Sequence, residues 1–381
     1  RDTLPEDMPV WYRIESSVRS LFNTYNYQEI RTPVFEETAL FKRGIGEDTD
    51  IVSKEMYSFT DRGDTHITLK PEGTAPVVRA YIEHALGSKQ PLQKLFYISP
   101  MFRQERPQAG RLRQFHQFGA EALGSKAPQL DAEMIIIAYN LLKSFGLSSL
   151  EVCVNSLGKP ETREQYKAEL RNYLADKLHG LSAESKKRYE TNILRLFDSK
   201  EAADIEIMKD APLLIDYLDE EDKEHFAVVT GLLQQENIPF KVEPRLVRGL
   251  DYYTKTTFEI ISGSVGSQSA LCGGGRYDNL IEQLGGQPTP GVGFAAGIER
   301  IILACQNENA LLADTPALGA YLIRLEEERS PFVFGLAQQL RSAGISADFD
   351  YHARSIKAQM REANRLGAKV VLFCGGNEYA A

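Results

Sequence analysis

The amino-acid sequence predicts an α+β fold, with an antiparallel sheet, a helical insertion and a separate α/β domain at the carboxyl end. Short apolar strands bounded by turn residues dominate residues 1–158 and resume over residues 238–305. Between them, residues 159–237 are rich in lysine and glutamate and have helical apolar spacing. A linker is expected at 306–316, and strands alternate with helices over 317–381, which is typical of a parallel sheet.

Composition limits the class of protein. With 381 residues, the chain is too long for one ordinary core. Its formal net charge of -9 and its pI near 5.4 argue against indiscriminate nucleic-acid binding, so no DNA partner is expected. No apolar run has the length of a membrane span, so no membrane partner is expected. The four cysteines are scattered without metal-like spacing, which favours reduced thiols and a cytoplasmic location.

The first elements follow from apolar spacing and from proline positions. A helix is predicted at about 6–24 and a strand at 27–35. Because proline lacks an N–H, Pro33 should place that strand at an edge, a bulge or an interface. A further strand at 64–72 runs into the sequence Pro71-Glu-Gly-Thr74, which opens the next helix.

The later elements follow from the same two apolar periods. Strands are predicted at 94–102, 113–124, 150–155, 240–243, 248–261, 269–271, 291–297, 319–325, 347–349 and 370–373. Helices are predicted at 131–145, 163–178, 183–197, 220–236, 275–284, 299–305, 330–343 and 355–366. The regular alternation after the linker predicts the small α/β domain.

A loop with several arginines is unusual in so acidic a chain. Within residues 102–117, four arginines surround one acid, Glu105, and Pro107 and Gly110 mark a turn between them. The arginines are Arg103, Arg106, Arg111 and Arg113. Because a guanidinium group binds phosphate oxygens in a bidentate manner, the segment predicts a phosphate site on a hairpin loop. For this segment taken alone, a merely solvated hairpin is the alternative.

Three segments, in order along the chain, resemble the motifs of the class II aminoacyl-tRNA synthetases. They are the helix and strand that end at Pro33, the loop Phe102–Gln117, and the glycine-rich strand and helix Gly291–Leu303. Two further segments, Arg248–Thr254 and Gly273–Asp278, resemble the histidine-specific signatures of the bacterial histidyl-tRNA synthetase family. The resemblance extends over essentially the whole chain.

The resemblance implies a class II synthetase catalytic domain on an antiparallel sheet, a helical insertion and a C-terminal α/β anticodon-binding domain. It implies ATP-dependent activation of L-histidine and transfer to tRNA(His), giving histidyl-tRNA, AMP and diphosphate. It also implies a homodimer formed through the first motif, and Mg2+ on the ATP phosphates without a metal ligand from the protein. Two departures are Arg1-Asp2, where the family usually has Arg-Gly-Thr-x-Asp, and Lys70, where bacterial members usually carry arginine.

Activation joins two anions, so fixed cations aimed at the α-phosphate are the main catalytic device. The resemblance implies that Arg103 and Arg248 are catalytic. Arg103 would bind the α-phosphate, and Arg248 would contact both that phosphate and the histidine carboxylate. Arg300 would bind the γ-phosphate end of a bent ATP. An orienting acid, a further arginine and an adenine-stacking ring complete the ATP site: Glu105, Arg113 and Phe115. For Arg248, a structural ion pair with Asp251 is the alternative.

The resemblance also implies a pocket for histidine. Glu72 and Thr74, with help from Gln117, would hold the ammonium group, while Glu121 and Tyr253 would meet the two imidazole nitrogens. The pocket is completed by Gly73, Tyr252 and Tyr277. Tyrosines after a strand are more often core residues, which is the alternative for these three rings. Glu121 lies in an apolar run, where a buried carboxylate needs a partner.

Two regions are expected to contact tRNA. Arg106 and Arg111 in the arginine loop would approach the acceptor end of the RNA. In the last domain, one predicted helix has basic residues at three- and four-residue spacing, so they share a face: Arg354, Lys357, Arg361 and Arg365. A solvated helix face is the alternative.

Three other classes of function compete with this interpretation. The first is a catalytically silent synthetase-like regulatory subunit of ATP phosphoribosyltransferase, which typically lacks the catalytic arginine and often the insertion. Arg248, the insertion and the start of the last domain are all present in this chain. The second is an asparagine synthetase of synthetase-like fold, and the third is an RNA-binding protein without catalysis. The retained arginines Arg103, Arg248 and Arg300 argue against the third.

Overall fold

A computed structural model of the chain describes residues 2–46, 49–247, 249–268, 270–310 and 317–376. The chain divides into two compact units, Val10–Leu312 and a smaller one formed by Arg1–Pro9 with Ala313–Ala381. None of the helices in the described ranges combines the length and the apolar composition needed to cross a lipid bilayer.

Both units are built from strands and helices of mostly modest length. In chain order, the strands are β1 (Gln28–Glu29), β2 (Phe35–Glu37), β3 (Tyr57–Thr60), β4 (His66–Leu69), β5 (Gln93–Phe102), β6 (Gln114–Leu123), β7 (Leu150–Ser156), β8 (Phe240–Val242), β9 (Thr254–Ser262), β10 (Ala270–Arg276), β11 (Gly291–Gly297), β12 (Ala320–Arg324), β13 (Ala347–Phe349) and β14 (Val370–Cys374). The α-helices are α1 (Met8–Thr24), α2 (Thr38–Ile45), α3 (Thr74–Glu83), α4 (Leu86–Lys89), α5 (Pro128–Ser144), α6 (Pro160–Leu174), α7 (Ala183–Thr191), α8 (Ala202–Met208), α9 (Glu220–Gln235), α10 (Leu280–Gln283), α11 (Ile298–Asn307), α12 (Ser330–Ser342) and α13 (Ile356–Arg365).

A large, mostly antiparallel sheet forms the frame of the larger unit, which confirms the α+β prediction. In the described part of this unit, its strand order is β1-β5-β6-β11-β10-β9-β7-β8. β1 pairs with β5 in parallel and β7 with β8 in parallel, whereas the central strands are antiparallel. The register places Glu121 of β6 opposite Gly293 of β11. The centre of the sheet therefore combines an acidic side chain with a strand rich in glycine.

The strand predicted over 27–35 is wrong as a single element. β1 joins the large sheet, whereas β2 joins a separate small sheet of order β2-β4-β3. Pro33 lies between the two short strands. Because proline cannot donate to a ladder, the chain leaves one sheet and enters the other at this residue.

Two predicted boundaries around the histidine-type signatures are also wrong. The strand predicted from Arg248 begins only at Thr254. The helix predicted from Gly275 is instead the end of β10, and α10 is short. β10 lies so close to β11 that a Cβ on Gly274 would collide with the carbonyl of Gly293. The glycine run therefore serves close strand packing, which favours a strand over a helix.

The helical insertion has its own apolar core. Its central buried residues are Tyr166, Leu170, Leu174, Leu181, Ile193, Leu196, Met208 and Leu214. The helix predicted over 183–197 is divided, because α7 ends at Thr191 and a 3-10 helix occupies Ile193–Asp198. The last helix of this region, α9, lies against α5, where His225 Nε2 is 3.2 Å from Asp131 Oδ1.

The smaller unit contains a three-stranded parallel sheet among its described residues, in the order β13-β12-β14. α12 packs over β12 and β13, and α13 packs against β12. Buried apolar residues of this sheet and of both helices form its core, which includes Leu322, Val333, Ala337 and Ala363. The prediction of a small, mostly parallel α/β domain is therefore confirmed.

Candidate active site

Glu121 is the central acid of a buried polar pocket on the large sheet. Its side chain has no exposed surface, and it accepts hydrogen bonds from the Thr74 hydroxyl at 2.8 Å and from the Tyr277 hydroxyl. Burial raises the pKa of Glu121 to about 8, while these two hydroxyls act in the opposite direction and the nearby charge of Glu72 raises it further. The sequence prediction placed these four residues in one pocket, and the structure brings them together.

Glycines create the space for these side chains. A Cβ on Gly293 would collide with the Glu121 carboxylate, and a Cβ on Gly291 would collide with the ring of Tyr277. Gly73 faces the ring of Tyr97 in the same way. The glycine-rich sequence of β11 is therefore required by the pocket, because any side chain at these positions would fill it.

Glu72 lies at the amino end of α3. Its two carboxylate oxygens accept backbone N–H bonds, from Thr74 at 2.7 Å and from Ala75 at 2.9 Å. The side chain is buried, and burial raises the pKa of Glu72 although these bonds oppose the shift. The predicted ammonium-binding acid is therefore also a cap that orients the start of α3 towards the pocket.

Two polar atoms beside the pocket are buried without a hydrogen bond of ordinary geometry among the described residues: Gln117 Oε1 and the Tyr97 hydroxyl. Leaving such atoms unpaired costs free energy, so they indicate a site for a polar ligand. Gln117 was predicted from the sequence, but Tyr97 was missed. The available signal was the pair of glycines, Gly73 and Gly119, on which a Cβ would collide with the Tyr97 side chain.

The two tyrosines of the first histidine-type signature form a buried wall. The ring centroids of Tyr252 and Tyr253 are 4.7 Å apart, and Tyr252 meets Tyr277 edge-on at 5.6 Å. All three rings lie in the same apolar cluster as Leu123 and Leu280. The rings therefore belong to the core and also face the pocket, so the two interpretations of these tyrosines are compatible.

Arg103 stands at the start of the arginine loop, next to the pocket. Its Nε donates to the carbonyl of Pro71 at 2.9 Å, and its guanidinium lies 5.3 Å from the ring centroid of Phe115. Its backbone N–H donates to the carbonyl of Arg113 at 2.9 Å, which closes the hairpin. The hairpin predicted between the two strands is thus present, with Arg103 held at its base.

Arg300 converges with the arginine loop from α11. Its Nε donates to the carbonyl of Gly110 and its Nη1 to that of Ala270, both at 2.9 Å. Burial lowers the pKa of Arg300, and the positive charges of Arg111 and Arg103 lower it further. Three guanidinium groups therefore lie close to one another, and the carboxylates of Glu105 and Glu259 supply the opposing charge.

The acid of the loop, Glu105, lies between these arginines. Its side chain is 11% exposed, and its Oε2 is 3.1 Å from Arg111 Nη1. Next to Arg300, Glu299 accepts the backbone N–H of His116 at 2.9 Å and meets its ring Nδ1 at 2.9 Å. These bonds fix α11 to β6, and sequence reasoning did not predict them.

The remaining predicted residues lie on the hairpin, in the last domain or outside the described residues. Arg248 lies outside the described residues. Arg106 and Arg113 are exposed on the hairpin, and Lys357 and Arg361 are exposed on α13. The prediction that Arg354 shares a helix face with these residues is wrong, because Arg354 precedes α13, where it forms an ion pair with Asp350 and lies 3.8 Å from Glu362. Within the described ranges, no group of three or more His, Cys, Asp or Glu side chains is placed to hold a metal ion.

A large antiparallel sheet that carries a polar pocket beside converging arginines, with an α/β domain after it in the chain, defines the aminoacyl-tRNA synthetase class. The family described as histidyl-tRNA synthetase matches residues 1–301, and the anticodon binding domain family matches residues 319–381. The chain belongs to the histidyl-tRNA synthetase family.

Individual relatives agree with this assignment. A histidine–tRNA ligase of Thermosipho melanesiensis is 48% identical over 377 residues, which cover 99% of this chain and 90% of the relative. The crystal structure of apo S. aureus histidyl-tRNA synthetase matches with a TM-score of 0.82 at 39% identity, covering 98% of this chain and 90% of that one. A Bacillus halodurans structure, described as an ATP phosphoribosyltransferase regulatory subunit/histidyl-tRNA synthetase, has a TM-score of 0.69 at 22% identity, covering 99% and 97%. This last likeness concerns the fold alone.

Proposed function

We propose that this protein activates L-histidine with ATP to give histidyl-adenylate and diphosphate, and then transfers the histidyl group to tRNA(His), releasing AMP. The observation that carries the proposal is the convergence of Arg103, Arg111 and Arg300 beside the buried pocket around Glu121. A relative named histidine–tRNA ligase that is 48% identical over 99% of this chain favours this activity over the regulatory alternative.

In the activation step, a histidine carboxylate oxygen bonds to the α-phosphorus while the bond from that phosphorus to the β-bridging oxygen breaks. Diphosphate leaves with the bond electrons. Arg103 and Arg248 would neutralise the charge on the α-phosphate, and Arg300 would bind the γ-phosphate end. The other ATP contacts would come from Glu105, Arg113 and the ring of Phe115. Mg2+ would arrive bound to the ATP phosphates and shield their charge.

Histidine recognition would use the polar groups that line the buried pocket. Glu121 would accept the imidazole N–H, and Tyr253 would meet the other ring nitrogen. Glu72, Thr74 and Gln117 would surround the ammonium group. Gly73, Tyr252 and Tyr277 would shape the wall. Because an apolar analogue would leave the buried carboxylate without this donor, the pocket should reject such analogues strongly.

The proposal extends to the domains and partners. Residues 1–158 with 238–305 would form the catalytic domain, 159–237 the helical insertion, 306–316 the linker and 317–381 the anticodon-binding domain. On the tRNA, Arg106 and Arg111 would contact the acceptor end. Arg354, just before the last helix, and Lys357 and Arg361 on that helix would contact the anticodon arm. The protein would act as a class II, cytoplasmic homodimer.

The test is ATP–pyrophosphate exchange with a panel of amino acids, followed by charging of bulk tRNA. Only histidine should support exchange. Arg300→Ala should lower the exchange rate about 10²–10³-fold, which is the usual effect of removing one preorganised donor from an enzyme active site. The matched control is Lys209→Ala, a cation that is 64% exposed on the insertion. Exchange with another amino acid, or an Arg300→Ala protein as active as the control, would contradict the proposal.

A further inference from the structure

The break between α7 and the following 3-10 helix faces two loops of the candidate active site. Asn192 Nδ2 donates to Asp251 Oδ1 at 2.8 Å, and Arg195 Nη1 is 2.7 Å from Asp50 Oδ2. Asp251 belongs to the first histidine-type signature, and Asp50 follows the loop after α2. One short turn of the insertion thus contacts both Asp50 and Asp251.

A second contact comes from α6, on the other side of the same cleft. Arg163 Nη1 donates to the backbone carbonyl of Tyr253 at 2.8 Å. Arg163, Asn192 and Asp251 all line this cleft, which has a volume of about 200 Å³. Two separate elements of the insertion therefore hold the segment 249–253 from two directions.

The segment that receives these contacts is directly connected to the pocket. The Asp251 backbone N–H donates to the carbonyl of Ile45 at 3.2 Å, so the end of α2 is hydrogen-bonded to the signature segment. Gly46, at a φ of 103°, lies so close that a Cβ there would be 3.1 Å from Asp251 Oδ2. The next two residues, Tyr252 and Tyr253, are walls of the pocket. A shift of Asp251 would therefore displace both rings.

The charges on the insertion match this arrangement. Burial raises the pKa of Asp251, whereas the bond from Asn192 and the positive charges of Lys167, Arg163 and Arg195 act in the opposite direction. Asp251 is exposed at the cleft, and without the insertion it would lose the hydrogen bond from Asn192 and the nearby positive charges of Arg163 and Arg195.

We infer that Arg163, Asn192 and Arg195 are positioning residues for histidine activation, through which the helical insertion holds Asp50 and the segment 249–253 in their pocket-forming geometry. The inference rests on the proposed function and goes beyond it, because it gives the insertion a role in the amino-acid step that needs no RNA. An insertion that only contacted tRNA would have no effect before the transfer step.

The first test is histidine-dependent ATP–pyrophosphate exchange without tRNA. Asn192→Ala should raise the histidine KM about tenfold and leave the ATP KM nearly unchanged, since one hydrogen bond to a charged group is lost. Asn172→Ala is the matched control, because Asn172 is an exposed asparagine of α6 nine residues after Arg163. Its exchange kinetics should equal those of the wild type.

A charge exchange separates positioning from simple loss of stability. Asn192→Asp would face Asp251 with a second carboxylate and should impair exchange more than Asn192→Ala does. Adding Asp251→Asn restores an N–H···O bond with the roles reversed, so the double variant should recover activity relative to Asn192→Asp. Arg163→Lys, which keeps a donor and a charge, should be less impaired than Arg163→Ala at similar melting temperature.

Three outcomes would overturn the inference. One is wild-type exchange kinetics in both Asn192→Ala and Arg163→Ala with a defect confined to tRNA charging. A second is an equal rise of the histidine and ATP KM values that follows the loss of melting temperature. A third is a wild-type protein without histidine-dependent exchange, which would refute the proposed function itself and is recognised before any variant is made.

Discussion

The active-site pocket and the helical insertion each contain a carboxylate with no exposed surface, Glu121 and Asp204. Asp204 accepts the hydroxyls of Ser182, Ser185 and Ser199 at 2.6–2.7 Å and the backbone N–H of Ser182 at 2.8 Å. These four donors lower the pKa of Asp204 to about 2, against the opposing effect of burial. Glu121 has two hydroxyl donors, and burial raises its pKa to about 8.

The number of donors accounts for the difference. Donors of the same chain supply four hydrogen bonds to the Asp204 carboxylate. Its charge therefore stabilises the fold, and the carboxylate needs no further donor from a ligand. Glu121 is left short of donors in a site where an imidazole N–H could be added. The pocket therefore carries a free-energy cost in the empty protein that a ligand would remove, whereas the insertion carries none at this position.

The largest expected effect comes from a substitution at Asp204, which has more hydrogen-bond donors than Glu121. Asp204→Asn replaces an acceptor of four hydrogen bonds by an amide whose NH2 group faces hydroxyl donors. We expect a loss of about 3 kcal/mol in the free energy of unfolding, measured by urea titration. Asp216→Asn, an exposed aspartate of the same insertion, is the control. An equal effect of both substitutions would remove the contrast between the two carboxylates.

Sequence patterns predicted the frame well because it depends on apolar period. The large sheet, the α/β domain and the pairing of the arginine hairpin all follow from local spacing. The secondary-structure predictions were wrong at positions where a residue allows neighbouring strands to pack closely. Gly275 was predicted to start a helix, yet β10 needs glycine there because a Cβ would collide with the carbonyl of Thr256 on β9.

The clustering of Glu121, Thr74 and Tyr277 was predictable because each belongs to a recognisable motif, whereas their roles towards a ligand stay predictions. The site was not predictable where the role depends on a contact between distant segments. Tyr97 has no motif of its own, since its significance comes from glycines that precede α3 and lie on β6. The Asn192–Asp251 bond joins residues 59 positions apart, and neither residue is distinctive alone.

The next prediction concerns Glu121, which has fewer hydrogen-bond donors than Asp204. Glu121→Gln should raise the histidine KM about 100-fold, because a carboxyl acceptor for the imidazole N–H is lost inside a buried pocket. The ATP KM should change little, and the free energy of unfolding should not fall as it does for Asp204→Asn. The measurement is pyrophosphate exchange at varied histidine and varied ATP. Equal increases in both KM values would count against the assignment.

The two carboxylates should also give opposite pH dependence. For Glu121, the folded pKa of about 8 lies above the ordinary value of 4.5, so its contribution to stability is full below that lower value and is lost as pH rises towards the upper one. Asp204 has a lowered pKa, so its contribution is present above 3.8 and is lost as pH falls towards 2.

Between about pH 6 and pH 8, the wild type should therefore lose up to about 1.4 kcal/mol of stability per pH unit relative to Glu121→Gln. Thermal unfolding of both proteins across this range measures the difference. Parallel pH curves would mean that Glu121 is already ionised in the folded protein at neutral pH.

The smallest expected effect concerns single tyrosine hydroxyls in the two regions. The Tyr277 hydroxyl donates to Glu121, and the Tyr166 hydroxyl of the insertion donates to the carbonyl of Pro212 at 2.7 Å. Tyr277→Phe should raise the histidine KM about tenfold. Among the described residues, Glu121 then has only the Thr74 hydroxyl as a donor, so its carboxyl group is held less firmly in the orientation that binds the substrate. Tyr166→Phe should instead cost about 1 kcal/mol of unfolding free energy and leave the histidine KM unchanged.

Pyrophosphate exchange gives the histidine KM of each variant, and urea titration gives its free energy of unfolding. The contrast holds if the Tyr277 hydroxyl affects only the histidine KM and the Tyr166 hydroxyl affects only the free energy of unfolding. The donor to Glu121 would then act on ligand binding, and the donor to the backbone carbonyl would act on the stability of the fold. If Tyr277→Phe only lowered stability, the hydroxyl would be an ordinary core bond. The shortage of donors around Glu121 would then be a feature of packing without a ligand to relieve it.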